Sequence, residues 1–382
     1  MSITIPFNRP AVVGREYEYI KAAVESRHLS GNGEFTRRCH AWLESHIGCR
    51  RALLTHSCTA ALEMMALLLD LEPGDEVIMP SFAFVSTANA FVLRRAVPVF
   101  VDIRPDTLNL DEALIERAIT PRTRAIVALH YAGVACEMDA IAGVAARHGV
   151  AVVEDAAQGI MASYRGAPLG SIGQLGALSF HETKNLIAGE GGALLVNDPR
   201  FAARAEILWE KGTNRSEFAR GQADKYTWLD VGSSYLPSEL NAAFLLAQIE
   251  QVDRVSAERM RLWERYHAAF EDLERSGGLR RPVVPAHCGH NAHIYYLLLP
   301  SLAARTALLA ALRAAGVDAV FHYVPLHSSI AGRRYGRSSG ELATTTAVSE
   351  GLVRLPLWVG MTDAQIDYVA DAVRDAMRVA AP

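Results

Sequence analysis

The sequence predicts an α/β fold: a large domain built on a mostly parallel sheet with helices on both faces, followed by a smaller α/β domain. Three observations carry this. From Arg51 to Val153 short apolar runs alternate with helical segments, the pattern of strand–helix crossovers around a parallel sheet. From Leu236 the rhythm changes to long helical stretches rich in Ala, Leu, Glu and Arg, and beyond Pro282 to isolated strands between helices. The chain is also large enough, with 382 residues of which 50% are hydrophobic, to bury two cores.

In order along the chain, Gly14–Ser26 and Phe35–Ile47 carry apolar residues at helical spacing and flank Gly31-Asn32-Gly33, forming an N-terminal arm. Strands at Ala52–Leu54, Glu76–Met79, Val97–Val101, Ala125–Leu129 and Val150–Val153 then alternate with helices at Thr59–Leu71, Phe84–Arg94, Asp111–Ala118 and Met138–Arg147. Two consecutive strands follow, Gly176–Phe180 and Gly192–Val196, and Ser179-Phe180-His181-Glu182-Thr183-Lys184-Asn185 opens the stretch between them. A helix over Pro199–Lys211 leads into the polar, aromatic segment Gly212–Tyr235. Residues 236–274 read as helical with a crossing near Asp253-Arg254, which divides the chain into 1–252 and 253–382. In the second part, strands at His293–Leu299 and Ala319–Tyr323 alternate with helices at Ala303–Ala315 and Asp363–Ala376.

The formal net charge of -4 gives no reason to expect nucleic acid or an anionic membrane as partner. Cys39, Cys49, Cys58, Cys136 and Cys288 are scattered and odd in number, which fits a reducing cytoplasm better than a disulfide framework. The N-terminus lacks the basic and apolar regions of a signal peptide, and Ala60–Leu71 is too short to span a bilayer, so a cytoplasmic protein is expected.

Residues just past the carboxyl end of a parallel strand are those a ligand meets. Asp155 and Gln158 follow the strand ending at Val153. Asp155 reads either as the cap of a following helix or as a deep carboxylate awaiting a cation, for which the protonated pyridine nitrogen of a pyridoxal ring would serve. Thr55-His56-Ser57-Cys58-Thr59 joins a strand to a helix, so Ser57 and Thr59 are either caps or, with the helix N-terminus, a phosphate cradle. Phe84 follows another strand, as core or as a ring that stacks on a flat cofactor. Lys184 has three readings: solvated, phosphate-binding, or a nucleophilic amine with lowered pKa. Its place between Phe180 and Gly189-Glu190-Gly191-Gly192 disfavours the first, and the company of Asp155 favours the last, a Schiff-base lysine. No dinucleotide fingerprint or P-loop follows these strands, and His130, His181, His293, His322 and His327 form no metal-ligand spacing, so no metal is expected.

These residues, with matching stretches running nearly end to end, resemble the DegT/DnrJ/EryC1/StrS family of pyridoxal-phosphate sugar aminotransferases. The stretches include Pro73-Gly74-Asp75-Glu76, His130-Tyr131-Ala132-Gly133, Glu154-Asp155-Ala156-Ala157-Gln158, Ser179 to Asn185, Lys211-Gly212-Thr213-Asn214-Arg215, Asp224-Lys225-Tyr226-Thr227-Trp228 and Phe321-His322-Tyr323. The resemblance implies pyridoxal 5'-phosphate as cofactor on the fold type of aspartate aminotransferase, with a large mixed-sheet domain and a smaller C-terminal one. It makes Lys184 the Schiff-base lysine and pairs Asp155 with the pyridine nitrogen. It sets Gln158 near the phenolic oxygen, Phe84 against the ring, and Ser57, Cys58, Thr59 and Ser179 around the phosphate. It also implies a homodimer with shared active sites, in which the segment carrying Ser234 reaches the neighbouring cofactor. Many members have asparagine and arginine where this chain has Ser234 and Leu236, and the loop Leu186-Ile187-Ala188 lacks the hydroxyls common in the family.

The implied substrates are L-glutamate and a nucleotide sugar, and the subgroup most similar to this chain aminates dTDP-4-keto-6-deoxy-D-glucose to dTDP-4-amino-4,6-dideoxy-D-galactose in O-antigen or enterobacterial common antigen assembly. Lys211, Arg215 and Lys225 are cations for the diphosphate or else solvated surface charges; Tyr226 and Tyr323 join them on the substrate side. Asp224 to Trp228 also resembles 3-ketosugar aminotransferases, and a non-catalytic sugar-nucleotide-binding regulator on the same fold is a rival of a different class. A dehydratase of this fold is disfavoured, because it replaces the lysine by histidine.

Overall fold

The computed structural model describes residues 5–379. Helices Glu16–Glu25 and Glu34–Ile47 precede five strands, β1 Arg51–Thr55, β2 Glu76–Pro80, β3 Val97–Val101, β4 Thr123–Leu129 and β5 Ala151–Asp155. A two-residue ribbon, β6 Ser163–Tyr164 and β7 Ala167–Pro168, separates these from β8 Leu175–Ser179 and β9 Gly192–Val196. Short β10 Cys288–Gly289 joins the ribbon; β11 Tyr295–Leu298, β12 Arg337–Ser338 and β13 Leu352–Leu355 complete the strands.

Eight strands form one sheet in the order β1-β9-β8-β5-β4-β2-β3-β12. Only β9 runs against the others, because it pairs antiparallel with both β1 and β8 while every other pairing is parallel. The strands read as nearly unbroken apolar runs because both faces are covered. Successive residues alternate between two cores: Ala52, Leu54, Ile78, Val99 and Val101 pack on one side, Leu53, Val77, Met79 and Phe100 on the other. A third core lies between the antiparallel pair β11 and β13 and the helices Val252–Ala269, Leu302–Ala314 and Asp363–Val379. The position 252/253 falls at the first turn of the helix Val252–Ala269.

Three expectations about the elements need correction. Asp111–Ala118 forms two 3-10 turns, Glu112–Leu114 and Glu116–Ala118, rather than a helix. The helix expected over Pro199–Lys211 is regular only from Ala202 to Trp209, after a 3-10 turn at Pro199–Phe201, and the chain breaks away at Lys211 with φ 65°. Ala319–Tyr323 is not a strand, apart from one bridge between Val320 and Arg354; the partner of β11 is β13, which the sequence reading passed over. The reason is visible in the side chains. His322 and Tyr323 stack on each other with centroids 3.7 Å apart, which neighbours in a strand, pointing to opposite faces, cannot do.

The chain beyond Tyr323 is strapped back onto the large sheet. His327 shares a hydrogen bond of 2.7 Å with Ser81, and Asp102 accepts from the backbone and hydroxyl of Thr345. Arg337, on β12, donates to both oxygens of Glu76 at 2.9 and 2.7 Å, while Arg122 and Thr120 donate to the same carboxylate. Glu76 is fully buried, and the Arg337 hydrogen bonds hold its pKa down at about 2 from an ordinary 4.5. Since the folded carboxyl is the stronger acid, its stabilisation is complete above the ordinary value and is lost as pH falls from there through about 2. Glu76→Gln is expected to cost roughly 3 kcal/mol, the low end for breaking a buried pair because both guanidiniums reach solvent. Urea melts at pH 7 and pH 3 check this, with the difference between variant and parent shrinking at the lower pH.

Candidate active site

The parallel strands all end on one edge of the sheet, and that edge opens into a cavity of about 790 Å³. Asp155 is the last residue of β5, and Ser179 is the last of β8. Ser57 follows β1, and Phe84 follows β2. Lys184, Asp155, Gln158, Phe84, Tyr323 and the Ser57–Thr59 turn all line this one cavity, as does Ser179.

Lys184 is placed by the hairpin between β8 and β9. Ser179 pairs with Gly192 at the mouth of the hairpin, the Phe180 N–H donates to the Gly191 carbonyl while its own carbonyl accepts from the Ala188 N–H, and Gly189 turns the chain with φ 78°. The residue after the lysine is locked as well: Asn185 donates to the carbonyl of Asn291 at 2.8 Å and meets His293 Nδ1 at 2.9 Å. Burial pushes the Lys184 amine below its ordinary pKa, partly opposed by Cys58 and Asp155. Half-buried on the cavity wall, this lysine is not a freely solvated surface charge.

No helix follows β5, so Asp155 is not a helix cap; the chain goes into turns at residues 157–161. Its carboxylate accepts from the Thr87 hydroxyl at 2.7 Å and from the Ala157 N–H at 3.1 Å. Among the described residues no arginine or lysine forms an ion pair with it. A buried carboxylate whose two oxygens accept only one hydrogen bond each, and whose charge is unpaired, fits a protonated ring nitrogen. Gln158 is fixed on both sides, its oxygen accepting from the Ala132 N–H at 2.7 Å and its nitrogen donating to Tyr323 Oη at 3.0 Å.

The helix Cys58–Leu68 points its N-terminus at the cavity, with Ser57 as its cap accepting from the Ala60 N–H at 3.1 Å. Thr59 donates to Ser86 at 2.8 Å. Orphan N–H groups and the positive end of the helix dipole suit a phosphate there. The helix can come this close to β9 only because Gly192 has no side chain: a Cβ would stand 2.4 Å from the Cys58 nitrogen. Phe84 is 57% exposed, so it is not a core ring, and its face lies near Tyr323 with centroids 6.4 Å apart. The residues present thus fit pyridoxal phosphate: a helix N-terminus for its phosphate, a carboxylate for its nitrogen, an exposed aromatic ring and a half-buried amine.

The family model for the DegT/DnrJ/EryC1/StrS aminotransferase family matches residues 10–374. The chain belongs to this family. As a family member it is a pyridoxal-phosphate-dependent aminotransferase with the fold type I architecture. It is 32% identical to the spore coat polysaccharide biosynthesis protein SpsC of Bacillus subtilis (strain 168), over 98% of this chain and 97% of that protein. It superposes on the aminotransferase TlmJ from Streptoalloteichus hindustanus with a TM-score of 0.90 at 30% identity, covering 99% of this chain and 100% of the other. The pyridoxal-phosphate form of a sugar aminotransferase from Streptococcus pneumoniae, 24% identical, shares the fold with a TM-score of 0.91 over 99% of this chain and 100% of that one.

Five sequence-predicted residues of this aminotransferase lie away from the cavity. Lys211 sits near Glu210, Arg215 and Lys225 are exposed, Tyr226 packs on Phe218, and Ser234 bridges to Glu210 on the surface. The sequence reading also missed residues that do line it. Arg354 on β13 and Phe7 of the N-terminal segment belong to the cavity wall, and Thr87 holds Asp155. Only Thr87, in the same stretch as Phe84, carried a local signal. Gly192→Ala is expected to keep the protein folded but to displace the helix N-terminus and weaken pyridoxal phosphate retention about tenfold or more. Fluorescence titration of the cofactor against the stripped protein measures it.

Proposed function

We propose that this enzyme transfers an amino group from L-glutamate to a nucleotide-linked 4-keto-6-deoxyhexose, with dTDP-4-keto-6-deoxy-D-glucose as the expected acceptor. The observation that carries the reading is the convergence of a half-buried lysine of lowered pKa with a carboxylate that has no ion-pair partner among the described residues, both in one cavity. The amino-sugar assignment is supported by the likeness to SpsC and by the matched stretches from Lys211 to Arg215 and from Asp224 to Trp228.

Bound pyridoxal phosphate supplies an electron sink for the pair left when a proton is removed from the amino-acid α-carbon. The chain supplies positioning and proton handling. Lys184, whose pKa is lowered by desolvation, is the group that takes and returns the proton. Asp155, oriented by Thr87, would keep the ring nitrogen protonated. Gln158 and Tyr323, fixed to each other by a hydrogen bond, would offer an amide and a hydroxyl to the cofactor, and the exposed ring of Phe84 would stack on it. Ser57, Cys58, Thr59 and Ser179 would hold the phosphate.

Ser234, Lys211, Arg215, Lys225 and Tyr226 sit on an exposed surface that includes Trp228, 79% exposed. We assign them to the neighbouring subunit's site in a homodimer, where the three cations would meet the sugar diphosphate.

Incubation with glutamate and dTDP-4-keto-6-deoxyglucose should yield 2-oxoglutarate and a 4-amino sugar whose stereochemistry NMR reads directly. Lys184→Ala should lose turnover by at least about 10⁴-fold while still binding the cofactor non-covalently. Amination of a 3-ketosugar instead would move the assignment to the other regiochemistry. A protein that takes up no pyridoxal phosphate, seen as no visible absorbance, would support the non-catalytic reading.

A further inference from the structure

His293 stands on the cavity wall just before β11 and has no part in the chemistry described so far. It is 6% exposed, and the chain around it is tightly held. Ala292 lies in the left-handed region with φ 51°, a strained conformation for a residue with a side chain. The buried Arg259 keeps it there, donating from Nε to the Ala292 carbonyl at 3.1 Å and from Nη2 to that of His293 at 2.5 Å. Asn291 donates to the carbonyls of Gln158 and Ile160 at 2.8 and 2.7 Å and accepts from the His293 N–H at 3.0 Å. The histidine is thereby fixed relative to the turn that follows Asp155.

The neighbours also decide where the ring carries its hydrogen. Asn185 donates from Nδ2 to the Asn291 carbonyl, which can only accept, so its Oδ1 is the atom 2.9 Å from His293 Nδ1. That oxygen only accepts as well, and Nδ1 is therefore the protonated nitrogen. Burial and the charges of Lys184, Arg259 and Arg354 hold the imidazole pKa well below 6.5, which leaves the ring neutral and Nε2 a bare acceptor. Nε2 has no hydrogen-bond partner among the described residues, yet it is not sealed inside the core. Of these cations Lys184 acts on the ring most strongly, although Arg259 is bonded to the histidine's own carbonyl. Lys184 lines the same cavity, and among the described residues its amine has neither a hydrogen bond nor an ion pair.

We infer that His293, through Nε2, accepts a hydrogen bond from the Lys184 amine while that amine is free of the cofactor, and so holds it in place for proton transfer. This rests on the proton role of Lys184 given above. In that step the C–H bond at the donor's α-carbon breaks, its electron pair passes to the cofactor, and the neutral Nζ gains the proton and a positive charge. An ammonium formed in a half-buried site needs an acceptor. Asp155 is committed to the ring nitrogen, whereas the bare Nε2 is open. His293 does not take the proton, because burial keeps its ring neutral. It is a positioning residue: it restricts where Lys184 stands and does not touch the reacting carbon. The coupling is direct, since Asn185, which fixes the tautomer, is the residue after Lys184.

The test uses the holoenzyme with L-glutamate alone, following cofactor absorbance after rapid mixing. Two variants separate the ring nitrogens. The amide nitrogen of asparagine falls near Nδ1 and keeps the bond to Asn185, whereas the amide of glutamine reaches the place of Nε2 and offers an acceptor there. His293→Asn is expected to slow the glutamate half-reaction roughly 30-fold with the glutamate KM changed less than about threefold, the scale of one hydrogen bond to a charged group. The isotope effect of α-deuterated glutamate should rise, because the loss falls on the proton-transfer step. His293→Gln should recover about fivefold or more of the lost rate. Nitrogen NMR of histidine-labelled holoenzyme, with the His293 signals identified by their loss in either variant, should show Nδ1 protonated and Nε2 bare. Melting temperatures identify a variant that misfolds, and the spectra of the parent decide the tautomer in that case. A protonated Nε2 would overturn the inference, as would a His293→Asn enzyme as fast as the parent or a change confined to the ketosugar KM. So would His293→Asn outperforming His293→Gln, which would leave His293 as a support for Asn185 only. A parent enzyme that binds pyridoxal phosphate yet reacts with no amino acid would instead overturn the role of Lys184 itself, whatever the tautomer.

Discussion

The reversal of β9 between β1 and β8 is the constraint on which the site depends. If β9 ran parallel like its neighbours, a long crossover would have to join it to β8. Because it is antiparallel, the connection, residues 180–191, is a hairpin loop that stays at the carboxyl edge of the sheet, and its register, Ser179 opposite Gly192, sets the loop that carries Lys184. The same Gly192 lies against the N-terminus of the helix after β1, so one residue fixes the spacing between the lysine loop and the helix that faces the cavity. Asp155 on β5, the next strand but one, completes the arrangement.

Behind this edge the polar groups are well satisfied. Glu154, fully buried beside Asp155 in sequence but on the opposite face, meets His130 at 2.9 Å and accepts from the backbone N–H groups of Gly170, Ile172 and Gly173. Two successive carboxylates at one strand end thus have different fates: one is locked into the scaffold, and the other is left with its charge unpaired and faces the cavity. Arg354 is the cationic version of the same arrangement on the far wall. The contrast between satisfied scaffold and unsatisfied wall separates the residues that hold the fold from those that wait for a ligand.

The smaller unit contributes to the cavity through side chains whose partners are distant in sequence. His322 is held by Tyr131 at 2.7 Å and stacks on Tyr323, which is in turn held by Gln158. With Ser81, Glu76 and Asp102 binding the segment beyond, β11, β13 and their helices are tied to the large sheet at several points. The wall carrying Arg354 is thereby set against the one carrying Lys184.

The sequence by itself determined the crossover sheet, its carboxyl-edge site and the group of Lys184, Asp155, Gln158, Ser57, Thr59 and Phe84, because each of these sits immediately after a strand whose apolar run is legible locally. It could not determine which strands are neighbours. The place of β9 in the sheet, the failure of Ala319–Tyr323 to form a strand and the pairing of β11 with β13 all depend on contacts between residues far apart in the chain. For the same reason Arg354 carried no signal in its own stretch, Val353-Arg354-Leu355-Pro356. Only the tertiary structure brings it over Phe7, at the other end of the chain, and leaves its charge on the cavity wall with no ion-pair partner among the described residues.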